Sequence, residues 1–88
     1  MFQQESDDQA AMRNVRLGSG FLVQLETAMK ELQFTAIDRI LMQLSLVAQD
    51  LAAVDTAKLP EETAQQVTVT QGLITAMTAA AKEKLEFG

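Results

Sequence analysis

Hydrophobic residues recur at helical spacing over residues 35–54, the most regular pattern in the chain. The principal positions follow steps of three and four residues and are Ile37, Ile40, Leu44, Val47, Leu51 and Val54. At about 100° per residue these side chains lie on one side of an α-helix, and Leu41 and Ala48 widen the stripe. A second apolar row points in nearly the opposite direction and comprises Met42, Leu46 and Ala53. The pattern therefore predicts a helix that is apolar on two sides.

The preceding stretch carries a heptad-like repeat that predicts another helix. Its positions are Ala11, Val15, Gly18, Leu22, Leu25, Met29 and Leu32. Gly18-Ser19-Gly20 interrupts this repeat with residues of low helix propensity, so two interpretations compete. Ser19 could cap a shorter helix that begins near Gly20, or Gly18 could lie where a neighbouring backbone comes close. Because the heptad phase continues across the glycines, we favour one continuous helix over about residues 8–32.

Capping residues mark the starts of these two helices. A side-chain oxygen of Ser6, Asp7 or Asp8 can accept a hydrogen bond from the first helical turn, and residues 1–8 form a frayed lead-in. Thr35 followed by Asp38 resembles a capping box, which predicts the second helix over about 35–54. Leu32-Gln33-Phe34 ends the first helix, and we expect Phe34 to anchor the short turn.

A proline and two acidic residues mark the start of a third helix over about 60–86. Pro60 suits the first helical position, and Glu61 and Glu62 favour the positive end of the helix dipole. Its inward positions are Val67, Thr70, Ile74, Met77, Ala81 and Leu85. The alternating, β-branched run 67–70 is also a strand candidate, but it has no second strand to pair with. Helix is therefore the better prediction.

Three helices with two short connections predict an all-α fold, an antiparallel three-helix bundle that runs up, down and up. Residues 1–88 then form a single helical domain. A chain of this length buries only roughly 60–65% of its unfolded surface, so its margin of stability is small. We therefore expect a homodimer that completes the bundle.

The composition limits the chemistry. Histidine, cysteine, tyrosine and tryptophan are all absent, which removes the usual general base, the thiol nucleophile and the commonest transition-metal ligands. Gly18-Ser19-Gly20 has neither the lysine nor the preceding strand of a phosphate-binding loop. We therefore predict that the chain is not an enzyme and has no cofactor or metal.

The net charge and the hydropathy limit the kinds of partner that we expect. The net charge is −5 and no Lys/Arg cluster is present, so nucleic acid is not an expected ligand. No run approaches the ~20 apolar residues of a membrane span, and the acidic, polar start differs from a signal peptide. We expect a cytoplasmic protein without membrane insertion.

The second apolar row suggests a surface for a protein partner. Met42 and Leu46 lie one turn apart and away from the main stripe, and Phe21 is similarly off-centre on the first helix. Either a wide second helix is simply buried, or these residues form an exposed trough for an amphipathic helix of a partner. We take Phe21, Met42 and Leu46 as the candidate partner-binding residues.

The layout resembles a known family. A long heptad-bearing first helix, a short turn into Phe34, the run Ile37-x-x-Ile-Leu-x-x-Leu and the start Leu59-Pro60-Glu61-Glu62 together resemble a flagellar export chaperone of the FliT type. The resemblance covers about residues 12–85, with Phe34 where that family tends to have tryptophan. It implies a small cytoplasmic helical chaperone that covers an amphipathic helix of an export substrate such as the filament-cap protein.

Two alternatives share these features. One is a chaperone of a related type III export system. The other is a small homodimeric structural helical protein, or a subunit of a larger complex, without a client.

Overall fold

The computed structural model describes residues 6–87, which form three α-helices. They are α1 (Asp7–Lys30), α2 (Phe34–Ala52) and α3 (Glu61–Phe87), and a short 3₁₀ turn, Thr56–Lys58, lies before α3. No strand occurs within residues 6–87, so the run 67–70 is helical. The predicted all-α three-helix bundle is confirmed. Of the segment 1–8 that was predicted to fray, residues 1–5 lie outside the described residues, and the prediction is wrong for Asp7 and Asp8, which already belong to α1.

Side-chain contacts fix the direction of the helices. Near the start of α1 and of α3, the Thr63 hydroxyl donates a hydrogen bond of 2.5 Å to the Asp8 carboxylate. Further along, Gly18 faces Thr70, so α1 and α3 run in the same direction. The connection of only three residues between α1 and α2 reverses the chain, and α2 therefore runs the opposite way.

The first helix is the centre of the packing. It lies along both α2 and α3, whereas α2 and α3 contact each other less extensively. The side of the bundle between α2 and α3 is consequently more open than the other two.

Most of the predicted apolar positions form the core. The buried apolar side chains are Ala11, Val15, Leu22, Leu25, Ala28, Ile37, Ile40, Leu44, Val47, Leu51, Val67, Ile74 and Ala81. Gly18 and Thr70, which the repeats also place inward, are buried as well. Leu32 and Leu85 depart from the pattern, because they are 49% and 36% exposed. The repeats therefore locate the core but extend too far towards the ends of α1 and α3.

The start of α1 has the predicted kind of cap. Ser6 accepts a hydrogen bond from the backbone N–H of Gln9, and the Gln9 side chain accepts one from the backbone N–H of Ser6. This reciprocal pair satisfies two backbone donors that have no partner within the helix.

The end of α1 explains why Leu32 leaves the core. Its φ angle is +56°, the left-handed conformation that usually belongs to glycine at this position. The N–H groups of Leu32 and Gln33 donate to the carbonyls of Met29 and Ala28, which makes a Schellman motif. The turn therefore takes Leu32 out of the helical repeat.

The predicted starts of α2 and α3 need correction. The capping box of Thr35 and Asp38 is wrong, because Gln33 is the N-cap and no side-chain cap bond is present. Thr35 lies within the first helical turn, where its backbone is already helical. Phe34, the expected anchor of the turn, is 40% exposed. Pro60 immediately precedes α3, and its carbonyl accepts the N–H of Ala64.

The helix continues through Gly18-Ser19-Gly20, as the sequence favours, and the two glycines have different surroundings. A Cβ atom on Gly18 would lie 3.2 Å from Thr70 Cγ2 and 3.3 Å from Val47 Cγ1. A Cβ atom on Gly20 would meet nothing within 4 Å. Gly18 thus allows three helices to come close, whereas Gly20 is not needed for packing.

We expect Gly20→Ala to raise the free energy of unfolding by about 0.5–1 kcal/mol, because alanine has the better helix propensity and the site has room. Gly18→Ala should gain less, since its new methyl group presses on Thr70 and Val47. Urea denaturation at one fixed protein concentration measures both. Equal gains in the free energy of unfolding would show that the side chains around Gly18 move aside without an energetic cost.

Leu32 offers a second test at the turn. We expect Leu32→Gly to be at least as stable as the parent, because glycine adopts a positive φ without the roughly 1–2 kcal/mol that a side chain costs. Leu32→Val should lower the stability, because a β-branched side chain tolerates this conformation poorly. Thermal unfolding monitored by circular dichroism compares the two. A less stable Leu32→Gly would mean that the half-exposed leucine contributes more by packing than its backbone costs.

Candidate protein-binding groove

An open groove of about 670 Å³ lies between α2 and α3, on the less packed side of the bundle. All of its lining residues belong to these two helices. They are Asp38, Leu41, Met42, Ser45, Ala48, Ile74, Thr75, Thr78, Ala79, Lys82 and Leu85. We call this surface the α2–α3 groove.

Helical spacing explains how the sequence builds the groove. On α2 the lining positions are 38, 41, 42, 45 and 48, so each lies three or four residues from another. This spacing keeps them on one face of the helix, beside the buried stripe. At 1.5 Å per residue this face is about 15 Å long. The facing positions on α3 run from Ile74 to Leu85, a similar length. Two antiparallel helix faces therefore form a trough about three turns long.

Small side chains keep the groove open. The lining includes Thr75, Thr78 and Ala79 on α3 and Ser45 and Ala48 on α2, and larger residues at these positions would fill more of the space between the helices. The trough therefore comes from side-chain size as well as from the limited contact between α2 and α3.

The groove is apolar at its base and charged at one end. Ile74 is buried, Leu41 is half-buried, and Met42 is 69% exposed at the edge. Asp38 on α2 and Lys82 on α3 lie at the same end. Within residues 6–87, neither of these charged side chains makes a hydrogen bond or an ion pair.

The structure does not bring the three candidate residues together. Met42 lines the groove. Leu46, one turn further along α2, is 63% exposed but lies beside the groove rather than in it. Phe21 is on α1, which contributes no lining residue, and it packs half-buried against the core. The α2–α3 groove therefore includes only Met42 of the three, and a contact of Phe21 or Leu46 with a partner stays a prediction.

Sequence reasoning missed the α3 wall of the groove. The spacing of α3 places Leu85 towards the core, and Thr75, Thr78 and Lys82 carry no apolar signal. The signal that could have indicated them is the run of small residues on one face of α3, opposite the small residues of α2.

Other exposed apolar side chains are spread over the surface. They include Leu17, Val23, Val69, Leu73 and Phe87. Exposure alone is ordinary for such residues, so what sets the α2–α3 groove apart is its concave shape and apolar base.

Metal binding and membrane insertion are two further functions that the arrangement of side chains bears on. Among residues 6–87, no three side chains of the histidine, cysteine, aspartate or glutamate type are grouped so that they could hold a metal ion. In the same part of the chain, none of the helices combines the length and apolar character that crossing a bilayer requires.

Comparison with protein-family models, with characterised proteins and with solved structures finds no significant match for this chain. The resemblance to flagellar export chaperones therefore stays a prediction from the residues that suggest it.

Proposed function

We propose that the chain is a non-enzymatic helical chaperone or adaptor that binds an amphipathic helix of a partner protein in the α2–α3 groove. The observation that carries this proposal is the trough itself, an open groove with an apolar base between two antiparallel helices, with Met42 exposed at its edge. Helix-in-groove recognition uses such a surface, with anchors at positions i, i+3, i+4 and i+7 of the bound helix.

The size of the groove fits this kind of partner. A trough about 15 Å long holds roughly three turns of helix, which present three or four anchor side chains on one face. A helix bound between α2 and α3 would give these two helices a further apolar neighbour and approach the layout of a four-helix bundle. Met42 suits the edge, because methionine adapts its shape to different side chains.

The charges add specificity to this proposal. Asp38 and Lys82 lie on opposite sides of one end of the groove and have no partner within residues 6–87. A client helix with a basic residue on one flank and an acidic residue on the other would pair with both. Such pairs select the direction of the bound helix more than they add affinity.

The client class follows from the family resemblance. We propose an export substrate of the flagellar or a related type III system, such as the filament-cap protein, which the chaperone would cover in the cytoplasm. Self-association as a homodimer belongs to the same proposal.

A second candidate is a homodimeric structural protein, or a subunit of a larger complex, without a client. The opposite charges on the two sides of the groove favour it, because a surface that carries both signs can pair with its own copy.

The proposal is tested with a fluorescently labelled peptide that spans the C-terminal helix of the filament-cap protein from the same organism. We expect saturable binding by fluorescence anisotropy. Met42→Asp should weaken it at least about tenfold, because an unpaired carboxylate in the apolar contact is costly to desolvate. Leu46→Asp should weaken it less, since Leu46 lies beside the groove.

Val23→Asp is the matched control for this experiment. Val23 is 65% exposed, close to the exposure of Met42 and Leu46, but it lies on α1, outside the groove. All three variants should keep the circular dichroism and the melting temperature of the parent, and Val23→Asp should bind normally. No binding by the parent, or equal losses in Met42→Asp and Val23→Asp, would contradict the proposal.

A further inference from the structure

The charged residues of the α2–α3 groove form a self-complementary pattern. Each chain has one acidic and one basic lining residue, Asp38 on α2 and Lys82 on α3, both at the same end of the groove. The whole chain carries a net charge of −5, so two copies repel each other in general. The groove lining is balanced in sign, which makes it a face that two copies can bring together without this repulsion.

The geometry decides how two copies can meet. If a two-fold axis runs parallel to the helices, α2 of one copy faces α3 of the other, and Asp38 meets the partner copy's lysine at the same end. The two-fold symmetry gives two such aspartate–lysine pairs in each dimer. If the axis is perpendicular to the helices, the charged end of one groove meets the uncharged end of the other, near Ala48 and Ile74. Only the first arrangement pairs the charges.

We propose that the occupant of the α2–α3 groove in the free protein is a second copy of this chain, in a parallel two-fold dimer with Asp38 opposite Lys82. The apolar contact comes from Leu41 and Met42 of each copy, which lie beside Asp38 on the same face of α2. The four helices that meet are α2 and α3 of both copies, and antiparallel neighbours alternate around them. The dimer covers the surface that the proposed client would use, so dimer and client exclude each other.

The dimer is tested by analytical ultracentrifugation of the protein alone, over a micromolar concentration series. We expect a reversible dimer. Asp38→Lys and Lys82→Asp should each weaken it about tenfold, because either change replaces two attractive pairs with two like-charge contacts. The double variant Asp38→Lys/Lys82→Asp restores opposite charges and should dimerise like the parent. Val23→Asp, outside the groove, should leave the association unchanged.

Three results would overturn this inference. They are a parent protein that stays monomeric over the whole series, single charge variants that dimerise as tightly as the parent, and a double variant as weak as the single ones. The second result would indicate the perpendicular arrangement or a different face. Circular dichroism of each variant checks that the fold is retained.

The exclusion of the client rests on the proposed function, but the dimer does not. The ultracentrifugation contains no client, so a monomeric parent leaves the peptide experiment valid. A parent that dimerises, but binds no peptide even at concentrations at which it is monomeric, would leave this inference standing and refute the chaperone function.

Discussion

The close approach of three helices at Gly18 is the constraint on which the bundle depends. With no side chain at this position, Val47 of α2 and Ile74 of α3 both reach the surface of α1. The first helix, α1, can then bury one face against α2 and another against α3, and the buried side chains of the core lie between the three helices. A side chain much larger than a methyl group here would separate α1 from α2 and α3 at the point where all three meet.

The open groove follows from the same arrangement. Helices pack side by side when their side chains fill the space between them, and α1 satisfies this on two sides. Several residues that line the space between α2 and α3 are small, such as Ala48 on α2 and Thr78 on α3, and the two helices leave a trough. The groove that is proposed to bind a partner thus lies on the side of the bundle where the helices pack least extensively.

The sequence could predict those features of the fold that depend on the periodic spacing of apolar residues. The stripe of α2 and the continuity of α1 through Gly18-Ser19-Gly20 follow from spacing alone. Leu32 could not be placed, because its left-handed backbone depends on how the turn closes. The sequence could not show that Phe21 and Met42 lie on different surfaces, because the apolar face of one helix does not indicate which other helix packs against it. The α3 wall also remained hidden, since Thr75 and Lys82 acquire a role only when α2 lies beside them.

Competition for one groove would make client binding depend on protein concentration. If only the monomer presents the α2–α3 groove, the apparent dissociation constant for a client equals the intrinsic value divided by the fraction of monomer. Dilute protein would then bind at its intrinsic affinity, and concentrated protein would bind more weakly. A client has to displace only a weak contact, because the groove is about 15 Å long and carries a single charged pair per copy at its end. A chain of 88 residues with a small core could in this way protect an apolar surface until a client arrives.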